Sequence, residues 1–350
     1  MTIELASFVA ELAANPVLVV VTLLNIGVIV VNGATDAPNA IATVVSTRAL
    51  KPNIAILMAA VCNFLGLLLV SLVTVAVAQT IFNMVDFGGD SHQAFIALAA
   101  AMVAIIVWGV VAWYFGIPTS ESHSLIAGLT GAAIALQGGL GAVNGNEWMK
   151  VVYGIVLSTL LGFFLGWLNA KIVTRACRNM DRGRTSRTFR WAQILSGAGV
   201  AFMHGAQDGQ KFMSIFVLAI ALAHGTGQTD QMVLPIWLMV LSAACMGLGT
   251  AVGGKRIIKN VGQNMVKLEP YQGFASSCAT FFCLMLATFT GLPVSTTHTN
   301  TTAIMGVGAA KRKSAVRWGV AGDMVKAWIL TFPGCGLLGF AFAYLFLWLF

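Results

Sequence analysis

The feature that most limits what this chain can fold into is its series of long apolar stretches. Hydrophobic residues make up 58% of the 350 residues and charged residues only 9%, too few to cover a water-soluble surface. Eight stretches reach the roughly 20 mostly apolar residues that a membrane-spanning helix needs, at about 16–46, 52–82, 93–115, 148–173, 191–222, 232–252, 271–291 and 318–350. The pattern predicts an all-α polytopic membrane protein and excludes soluble enzymes, nucleic-acid binders and secreted disulfide-stapled domains.

Two further stretches, 117–136 and 292–309, are apolar but dense in Pro, Ser, Thr, Gly and His. Counted as one crossing each, they give ten membrane segments.

The basic residues predict the orientation. Of the 20 Lys and Arg residues, 17 lie in four alternate loops, at 47–51, 171–190, 253–269 and 310–317. The other loops hold none, at 1–15, 83–92, 137–147 and 224–231. By the positive-inside rule the first set is cytoplasmic and both termini face outside. The pI near 9.4 is therefore an orientation signal, and we expect no nucleic-acid partner.

Two motifs occur twice, in the same order. Gly-Ala-polar-Asp lies at Gly33–Asp36 and Gly205–Asp208, and P-x-S-x-[ST]-H lies at Pro118–His123 and Pro293–His298. Five crossings per half is an odd number, so the second half must be inverted relative to the first. We expect a first repeat over 1–173, a basic cytoplasmic loop over 174–190 and a second repeat over 191–350. Such repeats indicate a secondary transporter with its site at the repeat interface.

The acidic residues of these motifs fall within membrane segments. A charge there costs roughly 2.5–3.5 kcal/mol and usually has a partner or a function. We expect the glycine near Asp36 and near Asp208 to permit a helix break that frees backbone carbonyl groups. Carbonyl oxygens beside a carboxylate suit a hard cation such as Na⁺, and the carboxylate alternatively carries a proton.

The Ser/Thr clusters predict an anion site. Proline at a helix start followed by hydroxyl residues offers donors together with free amide groups. Two such N-termini can hold a tetrahedral oxyanion, and Lys211 either adds positive charge or pairs with Asp208 across one turn. The plain alternative for the hydroxyls is bonding within their own helix or to a neighbour. For His123 and His298 we favour packing or hydrogen bonding over zinc ligation.

At these residues the sequence resembles the inorganic phosphate transporter (PiT) family, over nearly the whole chain. The matching runs are Gly33–Ala40, the first P-x-S-x-S-H, His204–Asp208, Met246–Thr250 and Gly291–His298. The resemblance implies a cation-coupled phosphate symporter with an inverted repeat and external termini, often dimeric. It also implies broken or re-entrant helical hairpins over 117–136 and 292–309, which raise the count from ten to twelve membrane segments when counted as pairs. It assigns Asp36, Asn39 and Asp208 to the cation, with Na⁺ as the candidate metal. It assigns Ser120, Ser122, Ser295, Thr296 and Thr297 to phosphate, and implies no cofactor.

The chain departs from the family pattern in ways that bear on coupling. The family's Asn before the Asp is Thr35 in the first repeat and Gln207 in the second, and both keep an oxygen ligand. The second motif continues Gly209-Gln210-Lys211 where the fuller pattern is V-A-N-A. We expect Gln210 and Lys211 to bind phosphate. Glu121 stands where the second half has Thr296, and we expect it to be a proton carrier. The coupled species stays open between Na⁺, H⁺ and a neutral metal–phosphate complex.

Three other functions stay open at this stage. The first is a sulfate permease with the same fold. Phosphate can donate a proton in a hydrogen bond to the paired carboxylates, whereas sulfate has no proton to donate. An intramembrane metal-dependent hydrolase using His123, His298 and the acids leaves the repeat unexplained. An anion channel is the third. We expect a transporter, not an enzyme, that is a homodimer in a prokaryotic plasma membrane.

Overall fold

The computed structural model describes residues 4–88, 90–115, 119–224, 233–264 and 268–350. Within these residues the chain forms thirteen α-helices and no β-sheet. The helices are α1 Leu5–Ala14, α2 Pro16–Thr35, α3 Ala42–Ser46, α4 Pro52–Ser71, α5 Ala76–Phe82, α6 Ser91–Phe115, α7 Glu121–Gln137, α8 Gly145–Ala176, α9 Arg182–Ala223, α10 Ile236–Asn264, α11 Pro270–Phe289, α12 Thr296–Lys311 and α13 Trp318–Leu349. The predicted all-α fold is confirmed.

Seven described segments are long and apolar enough to cross a membrane. They are Pro16–Ser46, Pro52–Ser71, Ser91–Phe115, Gly145–Ala176, Ile236–Gly253, Pro270–Phe289 and Val325–Leu349. The 42-residue helix α9 is also long, but it carries charged residues in its middle. Helices α7 and α12, here called the half-helices, have 17 and 16 residues and are almost entirely buried. The ten predicted segments therefore correspond to seven spans, α9 and the two half-helices.

Several predicted segment limits differ from the structure. Helix α10 continues to Asn264, into the expected loop 253–269. The expected span 52–82 is divided between α4 and α5, because Val73, Thr74 and Val75 form a β-branched run that disfavours helix and the Thr74 hydroxyl accepts the Ala76 amide. The expected loop 1–15 contains α1. Its apolar residues recur at helical spacing, and Phe8 stacks on Trp237 with ring centroids 4.9 Å apart.

The basic segment 174–190 is mostly helical, where a loop was expected. Helix α8 continues to Ala176 and α9 begins at Arg182, so five residues lie between them. The Asp181 carboxylate caps α9 by accepting the amide of Arg184 at 2.8 Å. Hydropathy predicts where an apolar segment ends, but it does not predict where the helix ends. Helix α8 continues beyond its apolar stretch, and the capped helix α9 begins before the next one.

The structure breaks the helix at the first Asp motif alone. Helix α2 ends at Thr35 and is followed by a 3₁₀ helix, Ala37–Ile41. Helix α9, in contrast, runs through Asp208 without interruption, so the expected second break is wrong. The difference follows from Pro38, which has no amide hydrogen and clashes with the preceding turn. The corresponding residue in α9 is Gln210, which fits a helix.

Glycines at the second motif serve helix packing. A Cβ atom on Gly205 would lie 2.1 Å from the carbonyl oxygen of Asn63 in α4, and a Cβ atom on Gly66 would lie 1.8 Å from that of Phe202 in α9. The repeat counterpart Gly33 makes the same close approach, 2.3 Å from the carbonyl oxygen of Met246 in α10. Small residues let membrane helices approach this closely.

The helix contacts form matched pairs. Helix α2 packs on α10 as α9 packs on α4, and half-helix α7 packs on α6 and α13 as α12 packs on α11 and α8. Exchanging each helix of the first half for its counterpart in the second therefore reproduces the same set of neighbours. This pairing supports the internal repeat read from the two motifs.

We predict that Gly66→Ala lowers stability by about 1–3 kcal/mol, because the added methyl group must push two backbones apart. Thermal unfolding in detergent measures the effect. Gly319→Ala is the matched control, because a Cβ atom there meets no atom within 4 Å, and alanine gains up to about 1 kcal/mol in a helix. Equal melting temperatures for the two variants would contradict the close contact of α4 and α9.

Candidate functional site

The half-helices begin close to the two Asp motifs. Ser120 is the N-cap of α7, and its hydroxyl accepts the amide of His123 at 3.3 Å. Ser295 caps α12 in the same way, accepting the amide of His298 at 3.2 Å. Both serines are buried, so their hydroxyls serve the helix ends here. Pro118, which opens the first motif, lies outside the described residues.

Each motif aspartate binds a hydroxyl from the half-helix of the other repeat. Asp36 accepts a hydrogen bond from Thr297 of α12 and another, at 3.0 Å, from the amide of Asn39. Asp208 accepts from Ser122 of α7 at 3.4 Å. Thr297 and Ser122 occupy equivalent positions in the repeated motif. The contacts are therefore crossed, and they tie the two halves together at the buried carboxylates.

The two carboxylates lie close to each other. One oxygen of Asp36, one of Asp208 and one ring nitrogen of His204 all lie within 4.8 Å of one another. The Nε2 atom of His204 is 3.3 Å from Oδ2 of Asp208, and the amide of Asn32 donates to the same oxygen at 3.3 Å. The prediction of site residues missed His204 and Asn32. The sequence spacing could have indicated both residues. Each stands four residues before its motif aspartate, and residues four apart are neighbours on a helix.

Several oxygens of the first half have no hydrogen-bond donor. Oδ2 of Asp36, Oδ1 of Asn39 and Oδ1 of Asn32 are buried, and no donor in the described part of the chain reaches them. Buried polar atoms are normally satisfied, so an unpaired group requires an explanation. Carboxylate and amide oxygens are ligands that a hard cation uses. The predicted cation set of Asp36, Asn39 and Asp208 therefore fits such an ion by its donor chemistry.

Lys211 is completely buried and its ammonium group is bound by oxygens. Its Nζ atom donates to the Ser122 hydroxyl at 2.6 Å, to Oδ1 of Asp208 at 2.7 Å and to the Val294 carbonyl at 2.7 Å. An ammonium group has three N–H donors, so all of them are used. Of the two alternatives from the sequence, the structure shows the ion pair with Asp208 across one turn.

Thr35, which is half-buried, contacts the fully buried Glu121. The Thr35 hydroxyl lies 2.8 Å from the Val31 carbonyl oxygen and 3.2 Å from Oε1 of Glu121, and its single hydrogen is shared between these two acceptors. Glu121 is packed against α6, since a Cβ atom on Gly109 would lie 2.8 Å from its Oε1. The hydroxyl of Thr35 therefore joins α2 to the start of α7.

The side chains of Gln207 and Gln210 bind backbone carbonyls in the connection between α11 and α12 and in the connection between α4 and α5, respectively. Gln207 donates to Leu292 at 2.7 Å and accepts from the Thr288 hydroxyl. Gln210 donates to Thr74, between α4 and α5, at 2.8 Å. Within the part of the chain that the structure describes, neither side chain hydrogen-bonds a motif carboxylate. The buried hydroxyl of Thr296, at the start of α12, has no hydrogen-bond partner there.

The motif histidines pack against each other beside this site. The rings of His123 and His298 are 4.4 Å apart and perpendicular, and His298 stacks on Trp328 at 3.7 Å. Neither belongs to a group of three metal-ligating side chains among the described residues. The ring contacts fit the packing interpretation and give no support for a zinc site.

The phosphate transporter family signature matches residues 32–339, which include both copies of each motif. The chain belongs to this family. It is 38% identical over 315 residues to a Bacillus subtilis protein named "Probable low-affinity inorganic phosphate transporter", covering 90% of this chain and 92% of that protein. A Rhizobium meliloti protein of the same name is 40% identical over 308 residues, covering 88% and 90%. The fold is similar to a solved structure titled "The sodium-dependent phosphate transporter", with a TM-score of 0.86, 22% identity and coverage of 96% of this chain and 100% of that one.

Membership in the phosphate transporter family decides the broad class. The chain is an integral membrane transporter and not an enzyme, so the hydrolase alternative fails. The sulfate alternative finds no support either, since the relatives and the solved structure named above carry phosphate in their names.

We predict that Thr297→Val lowers the free energy of unfolding by about 1–3 kcal/mol, because it leaves a buried carboxylate short of a donor. The control is Thr301→Val, one turn further along α12, whose buried hydroxyl has no partner among the described residues. We expect this second change to leave the melting temperature unchanged or raise it. A reversed order of the two melting temperatures would disprove the Thr297–Asp36 contact.

Proposed function

We propose that the chain is a secondary active symporter that imports inorganic phosphate together with a cation, Na⁺ or H⁺, by alternating access. The crossed contact of each motif aspartate with the half-helix of the other repeat carries this proposal. A site shared by two packed halves changes its accessibility when one half moves against the other, as alternating access requires. Family membership and the names of the relatives support phosphate as the substrate.

The proposed phosphate site lies between the N-termini of α7 and α12. Helix N-termini favour anions through their free amide groups and their dipole. The buried Thr296 hydroxyl without a partner is available to the anion, and the hydroxyls of Ser122 and Thr297 lie on the same two helix ends. We propose that Ser120 and Ser295 hold these helix ends by capping them. Gln210 holds the adjacent backbone at Thr74, and Lys211 supplies positive charge near the phosphate site.

The proposed cation site is formed by Asp36, Asn39 and Asp208. The unpaired oxygens of Asp36 and Asn39 support this assignment, and His204 adds a ring nitrogen close to both carboxylates. Gln207 acts on the cation site only indirectly, through the backbone that it holds. Glu121, which accepts a hydrogen bond from the Thr35 hydroxyl, lies beside the site and suits a proton route if H⁺ is the coupled ion.

Two negative carboxylates also favour phosphate over sulfate. A phosphate anion that retains a proton donates a hydrogen bond to a carboxylate, whereas sulfate at neutral pH has only acceptors. Oδ2 of Asp36, which receives no hydrogen bond from the described residues, is therefore able to accept such a bond from phosphate and not from sulfate.

We further propose that the two repeats, over 1–173 and 191–350, have inverted topology and are joined by the basic segment 174–190 on the cytoplasmic side. Both termini then face outside. The charge distribution supports this orientation. We propose a homodimer in a prokaryotic plasma membrane, and the bacterial relatives support that location.

Uptake of radiolabelled phosphate into proteoliposomes tests the proposed function. The runs impose a Na⁺ gradient, a pH gradient or neither, with excess unlabelled sulfate as competitor. We expect saturable uptake driven by one of the gradients and insensitive to sulfate. Flux that is independent of both gradients and does not saturate would indicate an anion channel.

We predict that Asp36→Asn reduces gradient-driven uptake to the level of protein-free liposomes, because the coupled cation loses its charged ligand. The variant should elute as a single species of normal size. Glu4→Gln removes an exposed carboxylate far along the chain from the site, and we expect it to transport normally. Normal uptake by Asp36→Asn would remove Asp36 from the cation site.

We predict that Thr296→Val raises the apparent KM for phosphate about tenfold with an unchanged melting temperature. A hydrogen bond to a charged ligand contributes about 1.5 kcal/mol, and 1.4 kcal/mol corresponds to a factor of ten. Thr301→Val removes an equally unpartnered hydroxyl from the interior of the same helix and should leave KM unaltered. Equal KM values for the two variants would show that Thr296 does not contact phosphate.

A further inference from the structure

The two Asp motifs differ in charge at one equivalent position. The third residue after the aspartate is Asn39 in the first repeat and Lys211 in the second. The same place in the repeat therefore carries a neutral amide in one half and an ammonium group in the other.

The surroundings of Lys211 resemble the ligand set of a small cation. Its Nζ atom lies 2.6–2.7 Å from a hydroxyl, a carboxylate and a backbone carbonyl, contributed by Ser122, Asp208 and Val294. Transporters coordinate Na⁺ with oxygens of these kinds, including carbonyls of irregular backbone. The Lys211 side chain is completely buried.

The equivalent position of the first half has the oxygens without the ammonium group. Thr297 and Asp36 are the repeat counterparts of Ser122 and Asp208, and they are in contact in the same way. Oδ2 of Asp36 and Oδ1 of Asn39 receive no hydrogen bond from the described residues, whereas Asp208 accepts from Lys211 at Oδ1 and from Asn32 at Oδ2. Within the described residues, an ammonium group thus pairs with the aspartate of the second half, and none pairs with the aspartate of the first half.

We propose that Lys211 is a tethered cation that permanently fills the cation position of the second half. The chain then takes up a single exchangeable cation, at Asp36 and Asn39, where a symmetric arrangement would take up two. This proposal rests on the proposed cation-coupled symport and specifies its stoichiometry. It makes Lys211 a residue that determines how many ions are coupled to phosphate.

The test is Lys211→Asn, which gives the second half the residue found in the first. The shorter side chain vacates the ammonium position and adds an amide oxygen, so we expect a sodium ion to bind there. Equilibrium binding of radioactive ²²Na⁺ to purified protein should show one more ion per chain than in the unmutated protein. The melting temperature should also rise more steeply as NaCl replaces choline chloride at constant ionic strength.

Three variants control this experiment. Lys211→Met removes the charge but fills the position with an apolar side chain, and it should gain no sodium binding. Adding Asp208→Asn to Lys211→Asn removes the carboxylate and should abolish the gain. Lys150→Asn, on a lysine of α8 that pairs with Glu147 and is 43% exposed, should behave as the unmutated protein does.

Sodium binding and sodium-dependent melting equal to those of the unmutated protein, in a Lys211→Asn variant that elutes as a single species, would overturn the proposal. If that variant does not fold, the number of ²²Na⁺ ions bound by the unmutated protein is the test. Two or more ions bound per chain would overturn the proposal, and one or none is expected. These measurements need no transport. A failure of phosphate uptake under every gradient would instead refute the symport and leave the binding result standing.

Discussion

The structure depends on how it compensates two carboxylates buried in a bundle that lies in lipid. Asp36 and Asp208 are fully buried and close together, and an uncompensated charge at membrane depth is costly. Neither repeat satisfies its aspartate by itself. Each takes a hydroxyl donor from the half-helix of the other, so neither half has a complete site alone. The same pair of contacts therefore joins the two halves and forms part of the candidate site.

The half-helices are short because they must present their N-termini to these carboxylates from the interior of the bundle. A helix that ends inside the membrane needs its backbone surrounded by protein, and nearly all residues of α7 and α12 are buried. Glycines make this enclosure possible. Gly131 of α7 meets the backbone of α13 at Gly336, and Gly306 of α12 meets that of α8 at Phe163. The small residues of this sequence are thus as necessary to the site as its polar ones.

The sequence predicts the elements that depend on hydropathy and on repetition. The length of the apolar stretches is sufficient to predict the membrane spans. The doubled motifs identify Asp36, Asp208 and the hydroxyl groups that donate to them. Periodicity could not show that α9 continues through Asp208, because Gly205 signals a break and a close helix contact equally well. The contact depends on Asn63, 142 residues earlier in the chain. Ser120 and Ser295 could not be separated from Ser122 and Thr297 either, since capping and ligand binding use the same hydroxyl.

One three-residue difference accounts for the asymmetry of the two halves. After the aspartate the first repeat reads Ala37-Pro38-Asn39 and the second reads Gly209-Gln210-Lys211. Pro38 interrupts the helix, and the backbone carbonyl of Asn39 then accepts a hydrogen bond at 2.6 Å from Asn300 of α12. Gln210 keeps α9 intact, and the intact helix places Lys211 one turn beyond Asp208, at the distance of a direct ion pair. Among the described residues, the aspartate of the repeat with the broken helix thus keeps an unpaired oxygen, whereas the aspartate of the repeat with the continuous helix pairs with a lysine of its own repeat. A protein that read Ala-Pro-Asn after the aspartate in both halves would lack this ion pair.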